Sequence, residues 1–177
     1  MKNDAHINTG DVLHCQGSRF ISKLIRLVTK SRFSHTAIAV RLEGVLYIAD
    51  SQRDGTHLRP FNDWEEKYKY QYEIHKINMH VRVGYQKEIK VKILDEIGTK
   101  KYDYASLLYY YPRYIITGKW KGRKLRTASD KFYCSEFVAY CLDFDYWYRT
   151  SPQDLYELMT VDARFKLYLP MGKVLKR

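Results

Sequence analysis

The segment Ser34-His-Thr-Ala-Ile-Ala-Val-Arg-Leu42, the pair Glu43-Gly44 and the segment Val45-Leu-Tyr-Ile-Ala-Asp-Ser-Gln52 decide the fold. Both runs are rich in β-branched and small apolar residues, and a two-residue connection ending in glycine predicts a tight antiparallel hairpin. If Leu42 opposes Val45, then Ala37 opposes Asp50 and His35 opposes Gln52. Side chains alternate along a strand, so His35, Ala37, Asp50 and Gln52 share one face. Directly opposed β-carbons lie about 5 Å apart and diagonal ones about 7–8 Å, which puts both Gln52 and Asp50 within reach of His35. The small Ala37 and Ala39 leave room on that face for another element, and the helix described next is expected there.

That helix is Phe132-Tyr-Cys-Ser-Glu-Phe-Val-Ala-Tyr-Cys-Leu142, with apolar positions 132, 133, 137, 138, 141 and 142 at helical spacing. Ser129-Asp130 offer a start just before it. Cys134 then falls in the first turn, where unpartnered backbone N–H groups and the helix dipole stabilise a thiolate. Cys141 lies two turns on and reads as core.

Outward from these two stretches the chain alternates. Gly10 to Cys15 predicts a strand, Phe20 to Val28 a helix with Ser18 as cap and with Arg19, Lys23, Arg26 and Lys30 on its surface. His57 to Arg59 is a short strand, Phe61 to Glu66 one or two helical turns, and Tyr70 to Ile77 another strand. Tyr85 to Ile97 has helical spacing and ends at Gly98. Tyr102 to Tyr111 predicts a short helix stopped by Pro112. Ser151-Pro152-Gln153-Asp154 opens a helix with a cap, a proline at its first position and an acid at its third. Phe165 to Leu169 returns as a strand. The order predicts an α+β domain in which an antiparallel sheet packs against helices.

With 177 residues the chain is expected to be one domain over 1–177, with 1–9 a flexible tail. Three cysteines, an odd count with no repeated spacing, indicate neither a disulfide framework nor a thiolate zinc site. No apolar segment has the character of a signal peptide or the length of a membrane span, and a reducing, cytoplasmic setting is the expectation. The 31 Lys and Arg against 20 Asp and Glu give +11, which favours attraction to anionic surfaces without deciding the fold. His14 and Cys15 are adjacent and point to opposite sides of a strand, and His75 with His80 lacks a helical ligand spacing. No metal and no cofactor is therefore expected, and His6 and His57 need no special role.

A cysteine nucleophile needs a base, and the base needs a third group to fix its tautomer. Cys134, His35 and Asp50 supply the three types. The residues that carry them, Gly10-Asp11-Val12, Ser34-His35-Thr36-Ala37-Ile38, Tyr47-Ile-Ala-Asp-Ser51 and Phe132-Tyr-Cys134-Ser-Glu-Phe137, resemble the circularly permuted branch of the NlpC-type cell-wall peptidase superfamily, in particular its YiiX-like group of papain-like proteins. The resemblance spans roughly residues 10 to 142 and places the histidine strand before the cysteine helix, the reverse of the papain order. It implies Cys134 as nucleophile, His35 as base and an acid at Asp50 as orienter. Aspartate stands where that pattern more often has glutamate, which leaves Gln52 as a rival orienter, since an amide oxygen also accepts an imidazole proton.

The resemblance implies acyl transfer on an amide or ester, with a peptide, a cell-wall peptide or a lipid as substrate. The Cys134 N–H, with Tyr133 or the Gly10-Asp11 segment, is the candidate oxyanion hole, while packing remains the alternative for Tyr133. Tyr109, Tyr110 and Tyr111 are candidates for a substrate groove and equally for core. Two rival readings stand beside the hydrolase. Lys119-Trp-Lys-Gly-Arg-Lys-Leu-Arg126, with the 17 tyrosines, fits a nucleic-acid binder, and the same fold could serve as an inactive papain-like binding scaffold.

Overall fold

The computed structural model describes residues 6–17, 20–68, 71–78, 80, 82–98, 101–119, 121–122 and 131–168. Six strands form one antiparallel sheet: β1 (Val12–Gln16), β2 (His35–Leu42), β3 (Val45–Gln52), β4 (Gly55–Pro60), β5 (Gln71–Ile77) and β6 (Phe165–Tyr168). Their order across the sheet is β4-β3-β2-β1-β5-β6. The helices are α1 (Phe20–Val28), α2 (Phe61–Tyr68), α3 (Arg82–Glu96), α4 (Tyr111–Thr117), α5 (Cys134–Cys141) and α6 (Pro152–Val161). A π-helical turn, Ser106–Tyr110, leads directly into α4. The α+β expectation, an antiparallel sheet packed against helices, holds at this level.

The β2–β3 hairpin has the expected register, with Leu42 opposite Val45 and Ile38 opposite Ala49. Its turn puts Glu43 at φ 49° and Gly44 at φ 83°. Positive φ at both central residues matches the twist of the flanking strands, and glycine takes it without steric cost.

Alternation along the central strands feeds two cores. Val12, Ile38, Val40 and Ala49 face a layer built from Ile89 and Ile93 of α3, Phe137, Val138 and Cys141 of α5, and Leu155 and Met159 of α6. Leu13, Cys15, Ala37, Ala39, Ile48 and Ile74 face Phe61 and Trp64 of α2 on the other side. The expected placement of the cysteine helix is therefore corrected: α5 lies over Ile38 and Val40, not over Ala37 and Ala39. The space above the two alanines is taken by the indole of Trp64, the bulkiest fully buried side chain among the described residues.

Three smaller expectations also change. Residues 7–9 are not tail: Ile7 is buried in the second core and its carbonyl accepts from Arg41 Nε at 2.9 Å. Pro112 does not stop a helix. It sits in the first turn of α4, where its missing N–H costs least, and the helix is capped instead by Gly118 with φ 65°. Helix α5 begins at Cys134 itself, after an extended Tyr133, while Ser129-Asp130 lie outside the described residues, as do Ser18 and most of Lys119–Arg126. The expected cap of α6 is present, with Ser151 Oγ accepting from the Asp154 N–H at 3.1 Å and Asp154 Oδ2 accepting from the Ser151 N–H at 2.9 Å.

Candidate active site

Cys134, His35 and Asp50 come from three elements, and local structure fixes each. Cys134 is the first residue of α5, where the backbone N–H groups have no intrahelical acceptors. The start of that helix is held twice: Tyr133 N–H donates to Glu136 Oε2 at 3.2 Å, and Ser51 Oγ of β3 donates to the Phe132 carbonyl at 2.7 Å. His35 opens β2 and Asp50 lies near the end of β3, on the face covered by α2.

His35 joins the two layers. Its Nε2 lies 2.9 Å from Asp50 Oδ2. The same ring hydrogen-bonds the Cys134 side chain, which also accepts from the Thr36 backbone N–H. With Nε2 turned to Asp50, Nδ1 is the nitrogen left for sulfur. Although His35 and Cys134 approach from opposite sheet faces, they meet because one begins a strand and the other begins a helix.

Asp50 is fully buried and compensated by donors. Gln52 Nε2 donates to Oδ2 at 2.6 Å and Trp64 Nε1 donates to the same oxygen at 2.9 Å. Arg59 Nη1 stands 3.5 Å from Oδ1. Burial alone would raise the Asp50 pKa, but the His35 hydrogen bond and charge, with those from Trp64 and Gln52, outweigh it and lower it. Gln52 Nε2 also lies 3.1 Å from His35 Nε2. The carboxylate is therefore the acceptor at the ring; Gln52 presents its amide nitrogen, a donor, and supports the ring only through its bond to Asp50 Oδ2.

Burial would likewise push the His35 pKa down. The charge of Cys134 and the hydrogen bonds to Asp50 and Cys134 outweigh it and raise His35 to about 10. For Cys134 burial works upward and is outweighed by the charge and hydrogen bond of His35, the Thr36 N–H and the Tyr102 hydroxyl, leaving its pKa lowered. The pair therefore favours thiolate and imidazolium at neutral pH. Cys15 and Cys141 contrast with it, because burial drives both thiols well upward.

Other sequence candidates sit elsewhere. Asp11 is not placed for an oxyanion hole: its Oδ1 accepts from Ile77 N–H at 3.0 Å and its Oδ2 from Asn8 N–H at 2.9 Å. It also lies four residues along β1 from Cys15, the partner of His35, or about 13 Å away at strand rise. Tyr133 packs with Ile25 and Leu107, and its buried hydroxyl has no hydrogen-bond partner among the described residues. Of the tyrosine run, Tyr111 is core, donating to Ser151 Oγ at 3.0 Å and Asp154 Oδ2 at 2.9 Å. Tyr109 is exposed and stacks edge-on with half-buried Tyr110. A cavity of about 840 Å³ lies near Tyr114, Phe144 and Tyr146, and neither Cys134, His35 nor Asp50 lines it.

The sequence reading missed Tyr102, whose hydroxyl donates toward Cys134 Sγ at 3.8 Å. A bridge between Tyr102 and Phe132, two residues before the cysteine, brings it there. Trp64 was read only as part of a short helix. The small residues at 37 and 39 were the signal for a large partner, without saying which.

These features define a class: a mixed α/β fold with a helix-start cysteine set against a strand histidine. No family model matches the chain, and no curated protein matches it. Among solved structures it is similar to the crystal structure of the metalloprotein yiiX from Escherichia coli O157:H7, with a TM-score of 0.57, 16% identity, and coverage of 92% of this chain and 97% of that one. At that identity the likeness is one of fold.

Proposed function

We propose that this chain is a cysteine-dependent hydrolase or acyltransferase with a circularly permuted papain-like domain, acting on an amide or ester. One observation carries the reading: a single imidazole, His35, is shared between a buried carboxylate at 2.9 Å and a helix-start cysteine. In this mechanism the Cys134 thiolate attacks the carbonyl carbon, forming the S–C bond and moving an electron pair onto oxygen. The Cys134 N–H and the Tyr102 hydroxyl donate to that oxyanion. His35 gives its proton to the leaving nitrogen or oxygen as the C–N or C–O bond breaks. It then takes a proton from water, or from an acceptor alcohol or amine, which attacks the thioester and restores the thiolate. Asp50 fixes the ring and stabilises its charged form.

The similar E. coli protein is called a metalloprotein. Among the described residues no three His, Cys, Asp or Glu side chains gather as a ligand group. The buried His14–His75 pair brings two nitrogens within 3.0 Å, hydrogen-bonded to each other, with no third donor. These residues do not fit a metal.

The test is labelling with acyl-type electrophilic probes across peptide and lipid carbonyl panels, followed by mass analysis of the modified residue. Label on Cys134, lost in Cys134→Ala together with turnover, is the expected result. Label on Cys15 or Cys141, or turnover that survives Cys134→Ala, would sink the assignment.

A further inference from the structure

Helix α1 carries two apolar stripes where a surface helix needs one. The inner stripe includes Ile25, buried with Leu107 and Tyr133. The outer one contains Phe20, 81% exposed, and Leu27, 76% exposed. At helical pitch these two point within about 20° of each other, with half-buried Leu24 beside them. Exposed Lys23 and half-buried Arg26 lie on one side of α1, and exposed Lys30 stands in the turn that follows it. The π-turn that α1 packs against continues the pattern into α4, exposing Tyr109, Ile115 and Ile116, with Arg113 and Lys119 exposed among them. Single exposed apolar residues are ordinary, but five large ones on α1, the π-turn and α4 mark a contact surface.

We propose that this face docks on an anionic lipid bilayer, with Phe20, Leu27 and Ile116 entering the headgroup boundary and Lys23, Lys30 and Arg113 meeting lipid phosphates. The chemistry selects this occupant. Leu27, Ile115 and Ile116 are aliphatic and offer no plane for a nucleic-acid base, whereas acyl chains accept them. A symmetric second copy would set Lys23 and Lys30 against their own equivalents. The net charge of +11 adds long-range attraction to an anionic surface.

On its buried side α1 packs through Ile25 with Tyr133, the residue before Cys134. The docking does not rest on the acyl-transfer reading.

The experiment is co-sedimentation with vesicles of phosphatidylserine and phosphatidylcholine, and with phosphatidylcholine alone, across a salt series. Wild type binds the mixed vesicles and binds the neutral ones at least tenfold more weakly. Phe20→Ser/Leu27→Ser lowers binding at least tenfold, and Lys23→Glu/Lys30→Glu lowers it and flattens its salt dependence. All four positions are exposed, three on α1 and Lys30 in the turn that follows it, and an unchanged thermal midpoint with unchanged Cys134 alkylation verifies the fold. Cys134→Ala binds as wild type does, so a failed acyl-transfer reading and a failed docking give different results. Absence of vesicle binding overturns the proposal, as does binding that Phe20→Ser/Leu27→Ser leaves intact. The proposal is equally overturned if the same variant instead abolishes binding to single-stranded RNA or self-association without vesicles.

Discussion

At the scale of single residues, His35 is held between two anionic partners, and its charge state sets theirs. The thiolate is lost as pH falls through the lowered Cys134 pKa, and the imidazolium is lost as pH rises through about 10. Alkylation of Cys134 by a small reagent should therefore begin at lower pH than for an ordinary thiol, with Cys15 and Cys141 silent until much higher pH. Asp50→Asn removes the carboxylate charge from the ring, so the His35 pKa falls and, with less positive charge beside it, the Cys134 pKa rises. This moves the alkylation profile to higher pH and lowers the thiolate fraction near neutrality. Gln52→Ala removes one donor to Asp50 Oδ2 and should shift the profile less; a larger shift than Asp50→Asn would transfer the third role to the amide. Tyr102→Phe keeps the ring but removes the hydroxyl 3.8 Å from sulfur. It should raise the onset of alkylation slightly and, if the oxyanion role is right, lower turnover about 100-fold. Equal losses in binding and turnover steps would reduce Tyr102 to packing.

At the scale of elements, α2 is tied to the site by one side chain. Trp64 fills the space above Ala37 and Ala39 and donates to Asp50 Oδ2 at 2.9 Å. Trp64→Phe retains most of the packing but leaves that bond unmade, and should cost about 1–3 kcal/mol by chemical denaturation. Trp64→Ala should cost about 3–5 kcal/mol through the cavity as well. If Trp64→Phe costs nothing measurable, the indole N–H contributes nothing separable from packing. The α2 position also marks where sequence stopped being informative. The β2–β3 register was legible because Glu43-Gly44 admits few turns and alternation is strict. The face chosen by α5 was not, since Ala37, Ile38, Ala39 and Val40 are all fully buried and both faces read as core. Small residues announced a neighbour, and the neighbour was an indole, not the cysteine helix. Tyr102 was illegible for a different reason: a lone bridge to Phe132 leaves no periodic trace. Cys134 with His35 could be singled out because each sits at the start of its own element, which local pattern does mark.

At the scale of the whole molecule, the sheet and α6 enclose a pair of histidines remote in sequence. His14 of β1 and His75 of β5 are fully buried, with His14 Nε2 3.0 Å from His75 Nδ1 and Thr160 Oγ1 3.3 Å from His75 Nε2. Phe33 and Tyr156 pack on the His14 ring, and Arg32, paired with Glu73 at 2.6 Å, adds positive charge nearby. Burial, then the charges of His75 and Arg32, push the His14 pKa well down, and burial lowers His75 to about 4. Both are bases with folded pKa values below their unfolded ones. Between about pH 6.5 and 4 the unfolded chain therefore binds more protons than the folded one, and stability rises with pH across that window. The contribution is present above about pH 6.5 and is lost as pH falls toward 4, amounting to a few kcal/mol for His75, with His14 acting in the same direction. His35 does not oppose this loss, because it is protonated in both states once pH is below its unfolded value. Asp50 adds to it only at lower pH, where the unfolded chain's carboxyl takes up a proton before the depressed folded one does. Urea midpoints should thus decline steeply from pH 7 to pH 5. His75→Gln, which keeps a polar side chain toward His14 and Thr160 without a titrating group, should flatten that decline even if it lowers stability at pH 7. A His75→Gln protein with the same slope as wild type would show that the acid sensitivity arises elsewhere.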